Sequence, residues 1–125
     1  MEAESAITAL GALAQETRLA IYRLLVEAGP EGRPAGAIAA RLQVPLATLS
    51  FHLQQLKHAR LVSARRQGTS IIYAANYPTM NAVMRYLTEN CCGGRAELCA
   101  EDGALSAGPM KPVAPENCRE TRKVR

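Results

Sequence analysis

The sequence predicts a mostly α-helical domain with about five helices and one small β-hairpin, arranged as a winged helix-turn-helix. The first observation is a pair of short amphipathic helices that a tight turn at residues 43–44 joins. The second is the β-rich stretch that follows them and turns back at Gly68. The third is the span 32–88, which has no Asp or Glu but carries seven Lys or Arg residues, as a surface for a polyanion does.

The predicted helices each show apolar residues at helical spacing. They run over residues 5–14, from about 15 to the stop at Gly29 and Pro30, over 35–42, from Pro45 onward, and from 76 to about 90. The helix after Pro45 carries the apolar stripe Leu46, Leu49, Leu53 and Leu56. The last helix carries Met80, Val83, Met84 and Leu87, a stripe typical of a core or a dimer interface.

Two β-rich segments, 61–65 and 70–74, predict the strands of the wing, with residues 66–69 as the turn between them. Residues 31–34 are predicted as a loop. Residues 100–125 hold several Gly and Pro residues and few large apolar ones, which predicts a flexible tail.

Composition excludes several classes of protein. A chain of 125 residues that is 48% hydrophobic suits one domain with a modest core. It has no apolar run of the roughly 20 residues that span a bilayer and no signal-peptide pattern, so we expect a cytoplasmic protein. With 4% aromatics it is a poor stacking platform for single strands. Without a phosphate cradle, a C-x-x-C motif or an acid/base pair, we do not expect an enzyme.

The helix after Pro45 is the candidate recognition helix, because its non-leucine side chains suit the major groove of double-stranded DNA. Basic residues there and in the wing suit phosphates. Instead of contacting DNA, Phe51 could pack under the wing. His52 could equally be a packed, hydrogen-bonded structural histidine. The predicted DNA-binding residues are Thr48, Ser50, Phe51, His52, Gln54, Gln55, Lys57, Arg65, Arg66 and Gln67.

Four short motifs, in order, resemble those of the ArsR family of winged-helix metalloregulators. Residues 17–25 resemble its "TRLxIxxLL" helix, 49–56 its recognition-helix "SxHLxxL", 59–62 its "AGLV" and 66–68 the "RxG" of its wing. The resemblance covers about residues 8–90. It implies a homodimeric repressor that leaves its operator DNA when a metal or metalloid binds, with the first and last helices expected at the dimer interface.

Two inducer sites common in that family are missing here. The segment 34–39 lacks the cysteine pair of many arsenic sensors, and the last helix lacks the Asp and His of zinc sensors. The remaining candidate is Cys91, Cys92 and Cys99, which resembles the C-terminal three-cysteine site of one arsenic-sensing branch.

Physical chemistry supports a thiolate site at these cysteines. Neighbouring cysteines in a regular helix point about 100° apart, but Gly93 and Gly94 allow the backbone to break and bring the thiols together. Three soft thiolates suit trivalent As(III) or Sb(III), and two suit methylarsenite. With Cys118 as a fourth ligand the site would suit Zn, Cd or Pb. A redox switch of clustered thiols is the competing hypothesis.

Together these patterns predict two parts of the chain. Residues 1–92 form the DNA-binding and dimerisation domain, and residues 93–125 form the inducer-binding loop and flexible tail. No cofactor is expected beyond the inducer itself.

Overall fold

The computed structural model describes residues 1–95, and the predicted winged helix-turn-helix is confirmed. Helices dominate, and a short antiparallel sheet follows the fourth helix. The elements in chain order are α1 (Ala3–Leu13), α2 (Glu16–Ala28), β1 (Arg33–Pro34), α3 (Ala35–Leu42), α4 (Leu46–His58), β2 (Val62–Gln67), β3 (Ser70–Ala75), α5 (Tyr77–Thr88) and a 3-10 turn (Cys91–Gly94). The predicted tail lies outside the described residues.

The helix ends follow from local chemistry. Gln15 precedes α2, and its side-chain oxygen accepts the backbone N–H of Arg18 at 2.9 Å. Gly29, at φ 88°, ends α2 with a conformation that glycine adopts most readily. Gln43, at φ 58°, makes the left-handed turn between α3 and α4, and Pro45 precedes the first residue of α4. These residues set the tight helix-turn-helix.

The sheet has one strand more than the sequence predicts. Its order is β1-β3-β2, with all neighbours antiparallel, and β2 pairs with β3 from Val62 opposite Ala75 to Gln67 opposite Ser70. The expectation of a loop at residues 31–34 is therefore wrong for Arg33 and Pro34, which pair with Tyr73 and Ile72. A two-residue strand has no periodicity of its own and is defined only by its partner.

Gly32 permits this extra pairing. Its φ is 72°, and a Cβ atom at this position would collide with the carbonyl oxygen of Tyr73 on β3. Only glycine allows the two backbones to approach so closely, so Gly32 brings the α2–β1 loop against the base of the wing.

The core lies between α2, α3 and α4, with β2 and β3 against it. The leucine stripe of α4 is buried as predicted, except that Leu46 at its start is 54% exposed. The largest fully buried side chains are Ile21, Leu25, Ile38, Leu49, Leu53, Leu56 and Leu61. Because α4 contributes three of them, its rotation about its own axis is set by the core.

Helices α1 and α5 leave apolar side chains uncovered. On α1, the small residues Ala6 and Ala9 are buried, whereas Ile7 is 68% and Leu10 40% exposed. On α5, Val83 is buried but Met84 is 59% exposed. Residues 1–86 form one compact unit and a second begins at Leu87. None of the helices described is long and apolar enough to cross a membrane.

Two tyrosines near the α2–α5 contact differ in their hydrogen bonds. The Tyr77 hydroxyl donates to the Val26 carbonyl oxygen at 2.9 Å. The Tyr22 hydroxyl is buried and has no hydrogen-bond partner among the described residues. Burial, and after it the nearby Tyr77, raises the pKa of Tyr22 to about 12, so this hydroxyl stays protonated. A buried hydroxyl without a partner carries a desolvation cost that nothing offsets.

The two hydroxyls should therefore respond oppositely to deletion. Tyr22→Phe should leave the free energy of unfolding unchanged or raise it, because it removes an unsatisfied group. Tyr77→Phe should lower it by about 1 kcal/mol, because the Val26 carbonyl loses its donor. Urea denaturation followed by circular dichroism measures both. A clear loss of stability in Tyr22→Phe would contradict the unsatisfied hydroxyl.

Candidate DNA interface and cysteine pair

The face of α4 opposite its leucines lies in solvent and carries most of the predicted recognition residues. Phe51 is 58% exposed and does not pack under the wing. The other predicted residues on this exposed surface of α4 are Thr48, Ser50, Gln54, Gln55 and Lys57. Amide and hydroxyl side chains around one apolar ring can bond base edges and touch a thymine methyl group.

His52 differs from the other predicted recognition residues because it is buried, with only 9% of its surface exposed. Its Nδ1 lies 3.3 Å from Nη1 of Arg18 on α2. Burial and, to a smaller extent, the Arg18 charge lower the pKa of His52. This partnership was missed by the sequence reasoning, although Arg18 and His52 both lie in the family-like motifs.

In the wing, Arg65, Arg66 and Gln67 are all exposed, as DNA contacts require. The guanidinium of Arg65 is also bound within the chain. It donates to the carbonyl oxygens of Glu31 at 2.9 Å and Pro30 at 3.5 Å, and to Oε1 of Gln67 at 3.4 Å. Arg65 therefore links the wing to the α2–β1 loop, whereas Arg66 lies next to the hairpin turn.

From β1 to α5, the chain carries Lys and Arg but no Asp or Glu. All seven basic residues of the acid-free span are exposed: Arg33, Arg41, Lys57, Arg60, Arg65, Arg66 and Arg85. On α2, Glu27 lies 3.4 Å from Arg23 in an exposed ion pair. Neither α4 nor the two wing strands contain an acidic residue, so the exposed Lys57, Arg65 and Arg66 give these elements a positive charge that suits the phosphates of DNA.

The cysteine pair lies in the 3-10 turn after α5. The predicted backbone break is present, since Asn90, Cys92, Gly93 and Gly94 all have positive φ, between 57° and 87°. Cys91 and Cys92 are half-buried, and their Sγ atoms lie 3.2 Å apart. This exceeds the about 2.05 Å of a disulfide, so the two sulfurs face each other as thiols.

The remaining predicted ligands, Cys99 and Cys118, lie outside the described residues. Within residues 1–95, no three His, Cys, Asp or Glu side chains converge on one point. The three-cysteine site therefore stays a prediction, of which the structure supplies two adjacent sulfurs.

Comparisons with known proteins agree with this geometry. A family model described as a helix-turn-helix domain matches residues 13–64. The nodulation protein NolR of Rhizobium meliloti is 32% identical over 88 residues, which are 70% of this chain and 70% of NolR.

Two solved structures extend the likeness to the fold. The ArsR-like transcriptional regulator from Rhodococcus sp. RHA1 has a TM-score of 0.63 and 26% identity, over 86% of this chain and 96% of that one. The homodimeric winged helix-turn-helix DNA-binding domain of Mb0332 from Mycobacterium bovis, a possible ArsR-family regulator, has a TM-score of 0.58 and 27% identity, over 86% and 87% of the two chains.

An exposed recognition helix, a basic wing and these relatives define a DNA-binding transcriptional regulator of the winged helix-turn-helix class. Within that class, the chain belongs to the ArsR family.

Substitutions on the two faces of α4 should have different effects, one on DNA affinity and the other on stability. Phe51→Ala should weaken binding to a selected DNA site about tenfold while changing the free energy of unfolding by less than about 0.5 kcal/mol. Leu53→Ala, the matched change on the buried face, should cost about 2–5 kcal/mol of stability. Fluorescence anisotropy and urea denaturation measure the two effects. Unchanged DNA affinity in Phe51→Ala would remove this ring from the interface.

The lowered pKa of His52 predicts a pH dependence of stability. The unfolded chain binds a proton at His52 near pH 6.5, whereas the folded chain resists it, so stability is full above about pH 6.5 and falls as the pH drops through the lowered pKa. His52→Asn should lose less stability than the wild type as the pH falls below about 6.5. Equal losses in the two proteins would show that other groups cause the dependence.

Proposed function

We propose that this chain is a cytoplasmic, homodimeric repressor that binds operator DNA and is released when As(III) binds Cys91, Cys92 and Cys99. Sb(III) and methylarsenite are the alternative inducers of the same thiolates. The observation that supports inducer binding best is the meeting of the Cys91 and Cys92 sulfurs at a backbone break. No resident cofactor is required.

DNA binding in this proposal uses the exposed face of α4 in the major groove, with the wing along the backbone. Lys57 and Arg66 neutralise phosphates, and the polar residues of α4 read base edges. In a two-fold dimer the two α4 helices enter successive major grooves, roughly 34 Å apart. The operator is then an inverted repeat with that spacing.

The exposed apolar faces support the dimer. Ile7 on α1 and Met84 on α5 are large apolar side chains with more than half of their surface exposed, and Leu10 on α1 is 40% exposed. Covering them with a second copy removes that surface from water. The similar domain of Mb0332 is itself homodimeric.

The spacing of the cysteine sulfurs suits a trivalent ion. Two sulfurs bound to one ion at about 2.3 Å lie roughly 3.8 Å apart at a tetrahedral angle and roughly 3.3 Å apart at a right angle. The Cys91–Cys92 separation of 3.2 Å is short enough for both sulfurs to bind one ion together. A pyramidal ion with a lone pair, such as As(III), has the narrower angles, and Cys99 supplies its third bond.

The inducer site follows α5 directly, since α5 ends at Thr88 and the 3-10 turn begins at Cys91. A bond from Cys99 to the same ion would tie the chain beyond the 3-10 turn to the end of α5 and restrain that helix end. If α5 belongs to the dimer interface, this restraint changes the spacing of the two α4 helices. A coupling of about 1–3 kcal/mol lowers DNA affinity roughly 5- to 150-fold.

A redox switch is the second candidate, and the closeness of the two thiols favours it. Here a peroxide accepts two electrons, two cysteine thiols lose their protons and form one S–S bond, and water is released. DNA is then released by peroxide, without any ion.

The test begins with a DNA duplex selected by the protein from a random pool, labelled for fluorescence anisotropy. Under a phosphine reductant, which unlike a dithiol leaves arsenite available, arsenite should weaken binding at least about fivefold. Cys91→Ser and Cys99→Ser should bind DNA as the wild type does and ignore arsenite. Cys118→Ser is the matched control and should respond normally.

Each other outcome points to a different site. Release by Zn or Cd that is lost in Cys118→Ser indicates a four-cysteine metal site. Release by peroxide alone indicates the redox switch. Arsenite release that persists in both Cys91→Ser and Cys99→Ser contradicts the proposed thiolate site.

A further inference from the structure

The Arg18 side chain links three helices. It belongs to α2, and its Nε donates to the carbonyl oxygen of Ala12, in the last turn of α1, at 2.6 Å. Its Nη1 lies 3.3 Å from Nδ1 of His52 on α4. We call Ala12, Arg18 and His52 the three-helix junction. One guanidinium thus connects α1 to the helix that carries the recognition face.

The junction also fixes the protonation of His52. Arginine is always charged and has no acceptor atom, so in this contact it is the donor and Nδ1 of His52 is the acceptor. The proton of the neutral imidazole is therefore on Nε2. The ring is 9% exposed and lies edge-on to Phe51, with centroids 5.5 Å apart at 64°. Packing and the hydrogen bond together hold the ring in one orientation.

Holding His52 sets the direction of its neighbours on α4. Successive residues of α4 lie about 100° apart around one axis, and the helix turns as a rigid body. A small rotation that displaces His52 therefore turns Phe51 and the exposed residues through the same angle. The buried leucines of α4 set which face of the helix meets the core, and the hydrogen bond to His52 adds a directional restraint on the small rotations that remain. The contact with Arg18 is the only polar side-chain contact from another helix to α4 in the part of the chain described here.

We propose that Arg18 is a positioning residue for DNA recognition. It holds α4 at a fixed rotation relative to α1 through His52, without contacting DNA. Its guanidinium crosslinks α1 and α4, because two of its nitrogens bind these two helices at once. This proposal rests on DNA binding alone and is independent of the inducer.

The test uses the full-length protein, the selected DNA duplex and anisotropy at several salt concentrations. Arg18→Met should weaken binding about tenfold or more. Arg18→Lys should be nearly as weak, because one ammonium lacks the fork that spans Ala12 and His52. The slope of log affinity against log salt should stay unchanged in Arg18→Met, whereas loss of a phosphate contact would reduce it by about one.

Arg23→Met is the matched control, because it removes the same charge from the same helix at an exposed position that forms an ion pair with Glu27. It should bind DNA within about twofold of the wild type. At His52, Asn retains an acceptor close to the position of Nδ1 and should restore much of the affinity that His52→Leu loses. In the wild type, long-range proton–nitrogen NMR should place the imidazole proton on Nε2.

Several outcomes would overturn the proposal. These are wild-type affinity in Arg18→Met, an equal loss in Arg23→Met, a reduced salt slope, or a proton on Nδ1 of His52. The His52 variants and the NMR measurement decide the matter even when Arg18→Met does not fold. Wild-type protein that selects no DNA would instead contradict the proposed function, and failure to respond to arsenite would leave the junction unaffected.

Discussion

Burial of Leu49, Leu53 and Leu56 is the constraint on which the functional surface depends. These side chains join the core on one face of α4, so the opposite face, with Phe51, has to remain in solvent. A recognition helix needs one face anchored in the core and another exposed to solvent, and an amphipathic helix provides both. The hydrophobic effect that stabilises the domain therefore also presents the residues proposed to read DNA.

The wing depends on a different kind of restraint. Its two strands pair along their length, and β1 and Arg65 connect them to the loop after α2. The strands thus have a fixed base, while the turn around Gly68 extends beyond it. Charge placed near such a turn, as at Arg66, can follow the DNA backbone without disturbing the core.

Most of the fold could be predicted from sequence because periodicity reports which face of a helix is apolar. Periodicity does not report what covers that face, so the exposure of Ile7 on α1 could be found only from the structure. The strand β1 was missed because two residues show no pattern. The hydrogen-bond partner of His52 is Arg18, 34 positions away, and no local pattern connects the two residues. At the cysteine site the backbone break at Gly93 and Gly94 was predicted correctly, because it depends on local residues. The contribution of Cys99 depends on how the chain between residues 92 and 99 returns to the pair, which a short motif does not encode.

Gly32 has a consequence for how such a regulator can diverge. Any side chain at this position would push against the backbone of Tyr73, so the root of the wing resists substitution although it contains no large apolar group. At Gly68, in the wing turn, a Cβ would meet open space, so a substitution there costs only the backbone strain of its φ of 67° and causes no collision. Selection can therefore alter the charge and length of the wing tip while its position on the domain is conserved. The position of the wing on the domain and the DNA contacts of its tip can therefore evolve separately.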